Sequence, residues 1–134
     1  VTPERKVLFV CVENACRSLM AEAFFAREPP KGWSARSAGT EPAPSPNPRT
    51  APMLSEVGLS MPAHPPLRLT EEMVREADRV ILMGCLDRPS CPAFLYRRVD
   101  EDWDLPDPGL LPDEGFRSVR DEIGRRVGEL VRRL

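Results

Sequence analysis

The stretch Val7-Leu8-Phe9-Val10-Cys11-Val12-Glu13-Asn14-Ala15-Cys16-Arg17-Ser18 decides how this chain folds. It opens on a continuous apolar run, and Leu19-Met20-Ala21-Glu22-Ala23-Phe24-Phe25 follows with apolar residues at helical spacing, so the sequence reads strand, loop, helix. A loop that leaves a strand and opens a helix turns several backbone N–H groups toward one point, where the helix dipole adds partial positive charge. Such a point binds a tetrahedral oxyanion, here through Val12, Glu13, Asn14, Ala15, Cys16 and Arg17. Cys11 begins the turn at the foot of the anion. Arg17 returns over its rim with a guanidinium that offers two parallel donors to two oxygens. A thiol in this position is expected to titrate below the free value of about 8.5 and to be a thiolate at neutral pH. The Ser18 hydroxyl is expected to donate to its sulfur.

With 134 residues the chain is expected to form one domain, residues 1–134, with a core that needs no staples. The net charge of −2 is spread along the chain, which argues against nucleic-acid or membrane binding and for a small-molecule or protein-surface partner. No stretch has the length of a membrane span and the first ten residues lack a secretory layout, so a cytoplasmic protein is expected; it is also expected to be a monomer. Four cysteines in such a compartment point to chemistry before structural disulfides. Zinc is not expected. The Cys11/Cys16 and Cys85/Cys91 spacings are wider than most zinc knuckles, and His64, the one histidine, sits among prolines as a loop residue. Glutamine is absent and prolines are many, which suits a heat-tolerant protein or a GC-rich genome.

After the first helix, Glu28-Pro29-Pro30-Lys31-Gly32 breaks the pattern, and Trp33 to Gly39 reads as a second strand. The proline-rich Glu41–Pro48 is a loop, with Asn47 as N-cap of a helix running from Pro48 to Val57 and stopped by Gly58. Thr70-Glu71-Glu72 has a helix-start signature, and Arg79-Val80-Ile81-Leu82-Met83-Gly84 reads as a strand buried on both faces of a parallel sheet. Phe94 to Val99 is read as a fourth strand. Phe116, Val119, Ile123, Val127, Leu130 and Leu134 make the apolar stripe of a last helix. The order predicts an α/β fold, a small four-stranded parallel sheet with helices on both faces. Cys11 and Cys85 each follow the carboxyl end of a strand, where open α/β sheets bind ligands.

The pattern Cys11-x5-Arg17-Ser18, between strand and helix, resembles the phosphate-binding loop of the low-molecular-weight protein tyrosine phosphatases and of the arsenate reductases built on the same fold. Cys85 with Cys91-Pro92, Trp103 with Asp107-Pro108, and Val119-Arg120-Asp121-Glu122-Ile123 look like the thioredoxin-coupled arsenate reductases, in order over nearly the whole chain. The resemblance implies a flavodoxin-like topology and a nucleophilic Cys11. It implies Asp107 as general acid, with Asp104 as the rival, and a Ser37-Ala38-Gly39 step beside the site. It further implies a three-thiol relay: Cys11 attacks arsenate, Cys85 resolves the adduct through a transient Cys11–Cys85 disulfide, and Cys91 completes a Cys85–Cys91 disulfide that thioredoxin reduces. Cys16 has no part in it. Weak aryl-phosphatase activity is also implied.

The alternatives are a low-molecular-weight tyrosine phosphatase whose later cysteines protect Cys11 from oxidation, and an oxyanion-binding or redox-sensing module without turnover. Some members of the resembling family hold a potassium ion with groups near Asn14, Glu22 and Ser37 plus an aspartate just beyond the position of His64. Here that place reads Pro65-Pro66-Leu67, and no tightly bound cofactor or metal is expected. The Cys85–Cys91 segment is about one residue shorter than in that family, and Glu13 adds a negative charge beside the anion.

Overall fold

The computed structural model describes residues 4–84, 89 and 91–134. Four parallel strands, β1 (Arg5–Cys11), β2 (Trp33–Gly39), β3 (Arg79–Leu82) and β4 (Glu101–Asp102), form one sheet in the order β2-β1-β3-β4. This is the flavodoxin-like order, and it puts β1 in the middle because its apolar run has residues to bury on both faces. Val7, Phe9 and Cys11 face a layer of three helices, α1 (Arg17–Arg27), α2 (Thr50–Ser55) and α5 (Asp113–Arg133). Leu8, Val10 and Val12 face α3 (Glu71–Glu76) and α4 (Ala93–Tyr96), through Val74 and Leu95. The α5 stripe is buried at Phe116, Val119, Ile123, Val127 and Leu130, and Gly124 lets the helix approach the Phe24 ring of α1. α3 starts as its sequence implies, with the Thr70 hydroxyl accepting from Met73 N at 3.2 Å.

Two expectations need correction. Phe94–Val99 is not a strand. Ala93–Tyr96 forms a single helical turn after Pro92, whose extended backbone occupies the N-cap, and only Leu95 is buried there. The fourth strand lies later and is two polar residues long. Backbone pairing makes it a strand: Trp103 N donates to Leu82 O at 2.7 Å and Asp100 N to Val80 O at 3.0 Å. Nor does Asn47 cap a helix from Pro48. Its Oδ1 accepts from Arg49 N at 2.9 Å and its carbonyl from Thr50 N at 2.9 Å, so residues 47–50 make a turn first and α2 begins two residues late.

Arginines tie α2 to α5 and α5 to itself. Hydrogen bonds from Arg117 and Arg120 hold the Glu56 carboxyl down at about 2 from its ordinary 4.5, and those from Arg125 and Arg126 do the same for Glu122. Both folded-state values are depressed, so their stabilisation is present above the unfolded carboxylate range and is lost as the pH falls through it toward 2. The melting temperature is therefore expected to drop between about pH 4.5 and pH 2, and a Glu56→Gln/Glu122→Gln variant to drop less steeply. An unchanged acid limb in that variant would rule these pairs out as its source.

Candidate active site

The loop from Val12 to Cys16 leaves the carboxyl end of β1 and is shaped by what grips its carbonyls. The oxygens of Cys11, Val12, Glu13 and Ala15 accept from the N–H groups of Thr40, Glu41, Ala43 and Asn47, all in the segment after β2. Thr50 Oγ1 adds a bond to Ala15 O at 2.7 Å. A trans peptide points its N–H opposite to its C=O, so gripping the carbonyls on one side turns the amides to the other. Among the described residues no backbone N–H of 12–16 donates to a protein acceptor, which leaves this set of donors able to meet an anion. Asn14 takes a left-handed φ of 51° to make the turn.

Gly39 closes the back of the loop. A Cβ there would lie 2.6 Å from Val12 O and 2.9 Å from Asn14 N, both backbone atoms of the loop itself. Gly39→Ala is expected to cost about 1–3 kcal/mol, the usual cost of overpacking, and to weaken oxyanion binding. A thermal melt and a phosphate titration check this, and a variant unchanged in both would show that the loop yields freely.

Cys11, buried at the end of β1, has its Sγ 2.9 Å from Ser18 Oγ. The direction of that bond follows from its neighbours. Leu67 N donates to Asn14 Oδ1 at 2.9 Å, which fixes the amide, and Asn14 Nδ2 spends its two hydrogens on Ser18 Oγ at 2.6 Å and Ser37 Oγ at 3.0 Å. Ser18 therefore accepts from Asn14 and directs its own proton at the Cys11 sulfur. Ser37 in turn donates to Glu22, whose Oε1 lies 2.8 Å from His64 Nε2. Burial alone would lower the His64 pKa, but the bonds to the Pro65 carbonyl and to Glu22 outweigh it and the net shift is upward.

This chain of polar groups joins residues far apart in sequence, and sequence reasoning treated His64 as a loop residue only. No local pattern signals the Glu22–His64 pair. The chain also bears on the implied potassium ion. Glu22 Oε1 serves Ser37 and His64 and Asn14 Oδ1 accepts from Leu67 N, so these two oxygens already hold N–H and O–H donors.

Arg17 is buried at the start of α1, with Nη1 donating to Leu105 O at 2.9 Å. Gly84, just past β3, lies against the guanidinium: a Cβ there would stand 2.8 Å from Nη1. Asp107 reaches the same place from the turn after β4. Its Oδ1 accepts from Gly109 N at 2.9 Å, capping the short 3-10 turn Pro108–Leu110. Cys11, Glu13, Ala15, Cys16, Arg17 and Asp107 line one cleft. Asp104 is exposed and is not among them. Burial pushes the Cys16 thiol up to about 12 despite its bond to Thr50, with Asp107 and Cys11 acting in the same sense, so Cys16 stays protonated. Cys91 is half-buried and packs against the Leu8, Val10 and Val80 side of the sheet, and Cys85 lies outside the described residues.

The family described as low molecular weight phosphotyrosine protein phosphatase matches residues 6–134. Arsenate reductase 1 of Staphylococcus haemolyticus (strain JCSC1435) is 30% identical over 131 residues, 98% of either chain. Among solved structures, a thioredoxin-dependent arsenate reductase of Corynebacterium glutamicum is 34% identical with a TM-score of 0.77; the match covers 97% of this chain, which spans only 61% of that one. The arginine phosphatase YwlE of Geobacillus stearothermophilus is 26% identical with a TM-score of 0.82, over 96% of this chain and 92% of the other. A cysteine-bearing loop at the end of β1, an arginine and an aspartate in one cleft, and this match over nearly the whole length lead to one conclusion: the chain belongs to the low molecular weight phosphotyrosine protein phosphatase family.

Proposed function

We propose that this protein reduces arsenate to arsenite by a three-cysteine relay that thioredoxin regenerates. The observation that carries the reading is the cleft itself, where the sulfur of Cys11 meets a Ser18 hydroxyl at 2.9 Å beneath unspent loop N–H groups, with Arg17 and Asp107 on the walls. Reduction is favoured over hydrolysis by the arsenate reductase relatives and by two further thiols, Cys85 and Cys91, after β3.

In this reading the Cys11 thiolate attacks arsenic while Asp107 protonates the departing oxygen, and a sulfur–arsenic adduct forms. Cys85 attacks the Cys11 sulfur, the electron pair of the S–As bond passes to arsenic, and arsenite leaves. The Cys11–Cys85 disulfide is then attacked by Cys91, which releases Cys11 as a thiol and leaves Cys85–Cys91 for the dithiol of thioredoxin to reduce. Two electrons leave the thiols and two reach arsenic, so the cycle balances. Cys16 takes no part, in keeping with its raised pKa.

The test is arsenate-dependent oxidation of NADPH with thioredoxin and thioredoxin reductase present. Cys11→Ser is expected to abolish it. A second reading, phosphatase action alone, draws on the likeness to the arginine phosphatase and on a cleft that needs only Cys11, Arg17 and Asp107 for ester hydrolysis. Weak aryl-phosphatase activity is expected in either case. The hydrolase reading wins if the parent protein reduces no arsenate and Cys85→Ser/Cys91→Ser keeps its phosphatase turnover.

A further inference from the structure

Glu13 is the one carboxylate carried by the anion-binding loop itself, and among the described residues no side chain pairs with it. The residue is exposed, lines the cleft beside Cys11 and Arg17, and has no side-chain partner among the described residues. Its main chain is fixed: Glu13 O accepts from Ala43 N at 2.9 Å, and the next residue is the buried Asn14 with its positive φ. The backbone therefore holds Glu13 at the cleft, within reach of its mouth. Among the described residues, the two arginines nearest the cleft have partners of their own. Arg17 is tied to Leu105 O inside the cleft, and Arg49, which reaches the turn carrying Asp107, is spent on Asp113 and on the carbonyls of Pro108 and Gly109. Asp107 adds a second carboxylate to the same lining.

An oxyanion seated on the loop amides and Arg17 has its charge met inside the cleft. A substituent on that oxyanion leaves through a cleft whose lining includes the exposed Glu13. A further negative charge on such a substituent meets the carboxylate with only water to screen it, while a positive one is attracted. We propose that Glu13 is a specificity-determining residue, a charge filter that admits compact inorganic oxyanions and esters with neutral or cationic groups and discriminates against esters carrying a second anionic group. The inference rests on the reading of the loop as an oxyanion site and names the substrate class of that site.

Calorimetric titration with three non-hydrolysable probes tests it: phenylphosphonate, 4-carboxyphenylphosphonate and 4-(trimethylammonio)phenylphosphonate, at low ionic strength. The parent protein is expected to bind the cationic probe more tightly than the anionic one. Glu13→Gln should shrink that ratio about three- to tenfold, the size of one unit charge acting through water at close range. Glu13→Lys should invert it, and added salt of about 0.5 M should compress it in the parent. Glu72→Gln makes the same change of net charge on the exposed surface of α3 and should leave the ratio as it is. A ratio that Glu13→Gln does not move overturns the proposal. So does failure of all three probes to bind where inorganic phosphate binds, because the lip would then exclude by shape. A protein that ranks the probes as expected but reduces no arsenate keeps the filter and loses the reductase reading; one that reduces arsenate with an unmoved ratio does the reverse.

Discussion

Replacing Cys91 by serine is expected to turn continuous, thioredoxin-supported arsenate reduction into a single event, about one arsenite per chain followed by arrest. The first two steps need only Cys11 and Cys85, and together they supply the two electrons that one arsenate takes. Without a third thiol the Cys11–Cys85 disulfide has no intramolecular attacker. In the proposed relay, packing accounts for a carrier between Cys11 and Cys91. Cys11 faces the α1/α2/α5 side of the sheet, whereas Cys91 packs against the opposite side with Leu8, Val10 and Val80. A disulfide requires Cα atoms within roughly 7 Å of each other, so two thiols on opposite sides of a sheet need a carrier between them. In the proposed relay Cys85 is that carrier. A burst of arsenite with a stoichiometric Cys11–Cys85 disulfide, seen by mass spectrometry under non-reducing conditions, is the expected result. Full coupled turnover in Cys91→Ser would remove Cys91 from the relay and leave thioredoxin to attack the Cys11–Cys85 bond directly.

The course of the loop from β1 to α1 was legible because its signals are local. Strand, cysteine, five residues, arginine and helix follow one another, and the backbone between them has few ways to run; the apolar stripe of α5 is legible for the same reason. What the sequence left hidden depends on contacts between distant segments. A short apolar run such as Phe94-Leu95-Tyr96 satisfies strand and helix alike, and Pro92 at the N-cap together with burial of Leu95 alone decides for a helical turn. β4 carries no apolar alternation because it is a two-residue edge whose identity lies in backbone bonds to β3. The chain from Ser18 through Asn14, Ser37 and Glu22 to His64 is invisible locally, since its last link spans 42 positions. Gly39 is intermediate: the resemblance implied a Ser37-Ala38-Gly39 step beside the site, and the distances from its Cβ position show how close the loop runs.

Asp107→Asn is expected to lower aryl-phosphatase turnover by roughly 10²–10⁴-fold, the range typical of general acid catalysis, and to slow arsenate reduction in the same direction. An aryl ester must expel a phenoxide, which leaves poorly without a proton, and the oxygen leaving arsenic has the same need. Asparagine isolates this effect. Its carbonyl oxygen can accept from Gly109 N as Asp107 Oδ1 does at 2.9 Å, so the Pro108–Leu110 turn and the position of the side chain are kept while the transferable proton is lost. Oxyanion affinity, which rests on the loop amides and Arg17, should stay nearly constant. Arg17→Ala should behave differently in kind, weakening phosphate binding along with turnover, because it removes the buried guanidinium held between Leu105 O and Gly84. Asp104, exposed and outside the cleft lining, should tolerate asparagine with little change. If Asp104→Asn loses the phosphatase activity and Asp107→Asn retains it, the proton comes from Asp104, and the loop after β4 must then close over the cleft in a second arrangement to deliver it.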